Sequence, residues 1–196
     1  MEYIAHRINT IQELKKVPKK YGVEIDLRDY RDRVILQHDP FQDGEDFEEY
    51  LKHYNHETLI LNIKSERIEH RVLDLIKKYK VKKYFFLDSS FPMIFLLSNS
   101  GEKNLALRCS EFEGIDTISN MKDKVNWVWL DCFTKLSISN SDYNLFKENG
   151  LKVCLVSPEL QGQNEKLYEY KKYLHSNGIT LDAICTKLHN IDKWIK

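Results

Sequence analysis

Gly22-Val23-Glu24-Ile25-Asp26-Leu27-Arg28 alternates apolar and charged side chains without a break. Successive side chains of an extended strand point to opposite faces, so Val23, Ile25 and Leu27 share one face and Glu24, Asp26 and Arg28 the other. Downstream, the turn-like Asp29-Tyr30-Arg31-Asp32 leads into Val34–His38, where Val34, Leu36 and His38 again share a face. Upstream lies a strand from Tyr3 to Arg7, then a helix from Thr10 to Lys16 with Thr10 as its cap, Ile11 and Leu14 facing inward, and Pro18 soon after its end.

Outward from this segment, short β-branched and aromatic runs alternate with stretches of helical periodicity, the signature of a parallel α/β sheet. Further strands are expected at Thr58–Lys64, Lys83–Leu87, Asn104–Arg108, Asn126–Leu130, Lys152–Val156 and Asp182–Thr186. Helices are expected at Phe47–Tyr54, Ser65–Tyr79, Phe91–Leu97, Ser141–Asn149 and Asn164–Ser176, with Gly150 and Gly178 as stops for the last two. Counting the first two strands, the total is eight, which suits a compact (β/α)8 barrel whose site lies at the C-terminal strand ends. An open doubly wound sheet is the rival, but no glycine-rich phosphate loop follows the first strand.

The 196 residues bound the chain to one domain, and 42% hydrophobic with 31% charged residues is ordinary for a globular protein. Thirty basic residues balance thirty acidic ones, so no global field draws the chain to nucleic acid or anionic lipid. Cys109, Cys132, Cys154 and Cys185 form no metal-binding spacing and read as buried free thiols. The most apolar segment, Tyr84–Leu97, is too short to span a bilayer and carries Asp88 and Pro92. No secretion signal opens the chain, no basic amphipathic helix supports stable membrane association, and a cytoplasmic location is expected.

Polar residues concentrate where the early strands end: His6 and Arg7, Glu24 and Asp26, His38 and Asp39, Asn62 and Lys64. Glu24 and Asp26 on one strand face can offer oxygen ligands to a hard cation such as Mg²⁺ or Ca²⁺, or can pair with Arg28 and Lys64; spacing leaves both open. Two histidines at strand ends, each beside a charged residue, point to acid/base chemistry. His53, His56, His70, His175 and His189 read as surface residues, and Trp127, Trp129, Tyr143 and Tyr168 default to the core.

Tyr3-Ile4-Ala5-His6-Arg7, then Asn9-Thr10, Gly22-Val23-Glu24-Ile25-Asp26 and Gln37-His38-Asp39-Pro40 resemble the successive motifs of the glycerophosphodiester phosphodiesterases, relatives of the phosphatidylinositol-specific phospholipases C. The resemblance continues more faintly through Leu61-Asn62-Ile63-Lys64, Ser89-Ser90-Phe91 and Asp182-Ala183-Ile184-Cys185-Thr186. It implies a barrel of that type over residues 1–196, with His6 and His38 as general acid and base and Arg7 gripping the phosphate. It also implies Glu24 and Asp26 as ligands of a divalent cation and Lys64 as a neutraliser of the phosphoryl oxygens. In the family the attacking oxygen can be a neighbouring hydroxyl of the substrate, which gives a cyclic intermediate that water opens.

Three departures accompany the likeness. Ile8 stands where glycine usually follows His-Arg, and the loop before Asn9-Thr10 is nearly absent. The third carboxylate ligand falls at Asn62, uncharged, for which Glu66 or Asp88 could compensate. The insertion after His38-Asp39 is reduced to Phe41–Glu45, which leaves a more open mouth. The expected function is metal-assisted hydrolysis of a glycerophosphodiester or a similar small alcohol or sugar phosphodiester. The alternative is a catalytically inactive barrel that binds a phosphorylated ligand.

Overall fold

The structure, a computed structural model, describes all residues from Met1 to Lys196. Ten strands form one sheet: β1 (Glu2–Ala5), β2 (Gly22–Tyr30), β3 (Arg33–Leu36), β4 (Glu45–Asp46), β5 (Leu59–Ile63), β6 (Tyr84–Leu87), β7 (Ala106–Cys109), β8 (Trp127–Leu130), β9 (Lys152–Val156) and β10 (Ala183–Thr186). Between them lie α1 (Ile11–Leu14), α2 (Phe47–His53), α3 (Glu69–Lys78), α4 (Phe91–Asn99), α5 (Asp116–Asn120), α6 (Asn140–Glu148) and α7 (Leu167–Ser176), and α8 (Ile191–Ile195) closes the chain.

Parallel pairing runs from β6 through β5, β2, β1, β10, β9 and β8 to β7. The sheet therefore curls toward a ring, and β6 and β7 meet through one bridge, Phe86 to Leu105, where the Phe86 N–H donates to Asn104 O at 2.8 Å. Strands β3 and β4 extend β2 as an antiparallel flap.

Curling divides the apolar residues into two sets. The larger packs between strands and helices and includes Val23, Ile25 and Leu27 of β2 together with Val72 and Ile76 of α3. The smaller lies inside the curl, with Ile4, Ile60, Phe85, Leu87, Ala106, Trp127, Trp129, Cys154, Val156, Ala183 and Cys185. Seven of the eight parallel strands supply that inner set. The eighth is β2, whose Glu24 pairs in register with Ile60 and whose Asp26 pairs with Asn62. Both carboxylates are buried, at 0% and 1% exposure, so β2 is the strand that brings two buried charges to the inner face.

The structure revises several expected boundaries. The first helix is a single turn, with Thr10 and Glu13 forming a reciprocal cap and the chain turning away before Val17 and Pro18. Helix α3 starts at Glu69 rather than Ser65, because Arg67 takes a left-handed backbone with φ 72° that no helix continues through. Helices α5 and α8 and the two-residue β4 were not expected; each is too short to show a period. Gly150 and Gly178 do end their helices in the left-handed region, at φ 70° and 65°. All four cysteines are buried and free.

Gly22 begins β2 where the backbone passes close to its neighbours. A Cβ there would sit 2.4 Å from Thr58 O and 3.0 Å from Ile4 Cγ1. Gly22→Ala is expected to destabilise the fold by about 1–3 kcal/mol through backbone displacement, read as a lowered urea midpoint with an unchanged slope.

Candidate functional site

His6 and Arg7 follow β1, Lys64 follows β5 and His38 follows the antiparallel β3, while Glu24, Asp26 and Asn62 lie within β2 and β5. Arg7, directly after His6, has φ 55°, a left-handed conformation costing a non-glycine residue roughly 1–3 kcal/mol. The turn aims its backbone N–H at Glu24 Oε2, 2.7 Å away, while its side-chain Nε lies 3.4 Å from Asp26 Oδ2. One residue thus serves both buried carboxylates.

The remaining carboxylate oxygens are also addressed by protein donors. Asn62 Nδ2 donates to Glu24 Oε1 at 2.8 Å, Asn9 Nδ2 donates to Asp26 Oδ2 at 2.8 Å, and Lys64 Nζ stands 3.7 Å from Asp26 Oδ1. Asn9 also accepts the Asp26 N–H through its Oδ1, which locks the segment after β1 onto β2. Burial, with Asp26 as a close negative neighbour, pushes the Glu24 carboxyl above the usual carboxylate range.

The two histidines are held in opposite ways. His6 Nδ1 is 3.1 Å from Lys187 Nζ, and an ammonium has protons to give but no lone pair to receive one. The neutral ring must therefore accept at Nδ1 and carry its proton on Nε2, which points toward Glu24 Oε2 at 3.8 Å. Burial and the positive charges of Lys187, Arg7 and Lys64 lower the His6 pKa to about 3. His38 Nδ1, in contrast, lies 2.8 Å from Asp39 Oδ1, so the neutral ring donates there and its Nε2 is left with a free lone pair. The hydrogen bond from His38 lowers the Asp39 pKa in turn.

Arg28 does not pair with Glu24 or Asp26. Its Nε and Nη2 donate to His38 O at 3.0 and 2.9 Å, and its Nη1 donates to Lys64 O at 2.9 Å. It clamps the segments that carry His38 and Lys64. Of the residues offered as a substitute third carboxylate, Glu66 accepts from Ser90 Oγ, while Asp88 is taken by Lys64, 3.4 Å away, and by Arg108. Neither approaches Glu24 or Asp26 as a partner.

Sequence reasoning missed Arg108, Asp131 and Lys187. Arg108 lies two residues after the inner-facing Ala106 and pairs with Asp88, Asp131 and Glu113. Lys187 follows β10 as His6 follows β1, and the same strand-end criterion applied to the late strands would have found it. Two surface and core expectations also change. His56 is half-buried, with a ring nitrogen 2.9 Å from Val17 O, and Tyr168 is exposed, whereas Trp127 and Trp129 are buried inside the curl.

Three oxygens here could hold a divalent cation, although no group of three or more histidine, cysteine, aspartate or glutamate side chains converges. Glu24 and Asp26 supply two carboxylates, and Asn62 Oδ1 is a buried acceptor with no partner. Three protein oxygens cover part of the six or more that Mg²⁺ or Ca²⁺ takes, so such a site is shared with water or substrate.

The His6 environment has a measurable consequence. Unfolded histidine binds its proton near 6.5, and folded His6 only near 3. Its contribution to stability is complete above about 6.5 and is lost as pH falls through that window. In an NMR titration the His6 ring signals are expected to stay constant from pH 8 to pH 5, and His6→Gln is expected to flatten the stability slope between pH 6.5 and 4.

No protein-family model matches the chain, and no curated protein matches it. Solved structures do. A glycerophosphoryl diester phosphodiesterase from Parabacteroides distasonis aligns over 99% of this chain and 85% of its own, with TM-score 0.66 and 14% identity. A putative glycerophosphoryl diester phosphodiesterase from Agrobacterium tumefaciens aligns over 95% of this chain and 93% of its own, with TM-score 0.65 and 11% identity. At these identities the shared property is the fold, an α/β architecture around a curled parallel sheet of TIM-barrel-like form.

Proposed function

We propose that the chain is a compact (β/α)8 barrel of the glycerophosphodiester phosphodiesterase type that hydrolyses a glycerophosphodiester or a similar small alcohol or sugar phosphodiester. The observation that carries this reading is the opposite tethering of His6 and His38 around one cluster of buried carboxylates and cations. The fold shared with two glycerophosphoryl diester phosphodiesterases supports it.

Cleaving a phosphodiester requires removal of a proton from the attacking oxygen, delivery of one to the leaving oxygen, and positive charge on the phosphoryl group. His38, with Asp39 on Nδ1 and a free Nε2, has the arrangement of a general base. His6 has the complementary one. A bound phosphodiester anion offsets the repulsion from Lys187, Arg7 and Lys64, favours protonation of the ring, and so prepares it to protonate the leaving oxygen. Arg7 and Lys64 hold the phosphoryl oxygens, and Arg28 keeps the His38 and Lys64 strand ends in register.

Glu24, Asp26 and Asn62 Oδ1 would hold Mg²⁺ or Ca²⁺. When bound, such an ion adds positive charge where the phosphoryl oxygens gather. The same residues favour a second reading, a barrel that binds a phosphorylated ligand without turnover. Its motivation is that Asn62 brings no charge and that Arg7, Asn9 and Lys64 already occupy the carboxylates.

Hydrolysis of bis(p-nitrophenyl) phosphate and a glycerophosphodiester panel, with Mg²⁺, Mn²⁺ or Ca²⁺, separates the two. The enzyme reading expects cation-dependent release that His38→Ala lowers by about 10²–10⁴-fold. A wild-type protein whose melting temperature rises with a phosphodiester that it never cleaves is the binding-only barrel. Asn62→Asp restores a third carboxylate and is expected to tighten cation binding in calorimetry, with a flat titration in both proteins counting against the assigned ligands.

A further inference from the structure

Beside the site, β6 and β7 part company after the Phe86–Leu105 bridge, and a cavity of about 450 Å³ opens between their ends and helices α4 and α5. Asp88 is a wall common to both places: it lines the cavity, and its Oδ2 is 3.4 Å from Lys64 Nζ, which in turn faces Asp26. Whatever occupies the cavity lies next to a group held by Lys64.

The lining joins a hydrocarbon wall to a set of paired charges. Leu87, Phe91, Ile94 and Leu107 form its hydrocarbon surface, and the charged members Asp88, Arg108 and Glu113 are paired with one another or with Lys64. Of the two uncharged polar side chains, Thr117 is exposed to water and Ser89 is buried. Ser89 lines the cavity, is nine-tenths buried, and its Oγ has no hydrogen-bond partner. A buried hydroxyl without a partner is costly, and one oxygen of a ligand would satisfy it.

Exposed aromatics mark the approach. Phe91, part of the lining, is half exposed; Phe112 is 74% exposed; Phe133, from the loop after β8, lies with its ring centroid 6.2 Å from that of Phe112. The Arg108 guanidinium sits over the Phe133 ring at 5.6 Å. A single exposed phenylalanine needs no explanation, but two in contact on neighbouring strand-end loops beside an apolar cavity form a patch with a direction.

We infer that this cavity seats the leaving alcohol and that the alcohol is an apolar one, so that the substrate is an amphiphilic phosphodiester with a hydrocarbon chain lying along Leu107 and Ile94 toward Phe112 and Phe133. Naming the occupant a leaving group rests on the phosphodiesterase reading; the place for its hydrocarbon chain rests on the wall formed by Leu87, Phe91, Ile94, Ala106 and Leu107.

Gly114 offers a clean probe. It lines the cavity, an added Cβ meets nothing within 4 Å, and its backbone lies outside the left-handed region, so a large side chain can be placed at the cavity's rim without strain. Calorimetric binding of glycerophosphocholine, hexylphosphocholine and octylphosphocholine, each below its micelle-forming concentration, reads the effect of the chain. In the wild type, affinity is expected to rise roughly two- to fourfold per buried methylene. Gly114→Phe is expected to abolish that rise, and the double variant Phe112→Ser/Phe133→Ser to weaken it, with circular dichroism reporting the fold of each. Equal affinity along the series, or an undiminished rise in a folded Gly114→Phe, overturns the inference. Cleavage of glycerophosphodiesters with no chain-length preference overturns it too and leaves the phosphodiesterase reading intact. Chain-dependent binding without cleavage of any phosphodiester upholds the apolar cavity and overturns that reading instead.

Discussion

Two carboxylates buried side by side on one strand are the constraint around which this molecule is arranged. Glu24 and Asp26 lose their hydration, and burying an ionised group unpaired is far costlier than any single packing contact is favourable. The surrounding chain answers with donors of four kinds: a backbone N–H at Arg7, side-chain amides at Asn9 and Asn62, the Arg7 guanidinium and the Lys64 ammonium. The left-handed turn at Arg7, the short connection to α1 and the clamp of Arg28 all follow from keeping those donors in place. That compensation gathers Arg7, Lys64 and, through His6, Lys187 around the two carboxylates, with Asp88 sharing Lys64.

The first forty residues were the most legible part of the chain, and the reason is local. Strand alternation fixes the face of Glu24 and Asp26 whatever their neighbours are, and His6, Arg7 and His38 lie at strand ends recognisable from a few residues on either side. The eight parallel strands were also readable, since each is an apolar run bounded by turns, and their register then follows from the sheet. Thr10 announced the start of α1, but nothing local announced that it would stop after one turn.

What the sequence concealed is set by partners far apart in the chain. Lys187 meets His6 across 181 positions, and Arg108 meets Asp131 across 23 and Asp88 across 20. The position of Lys187 just after an apolar strand is readable in one dimension, but its partner is not, because His6 and Lys187 meet only when β10 pairs with β1. Arg28 shows the reverse error. Its place on the charged face suggested an ion pair with Glu24 or Asp26, yet at the end of a long strand it reaches past both to backbone carbonyls.

The junction of β6 with β7 gives the sheet a property that a uniformly paired one lacks. A continuous ring presents no free edges, whereas a ring joined at a single bridge has two that nearly meet. The Asp88–Arg108 ion pair spans the gap at its upper end and sets charge where an intruding strand from another chain would have to lie. Charge on an exposed edge is a recognised defence against edge-to-edge association. The same pair that borders the cavity thus also sets charge at the place where the two ends of the sheet meet.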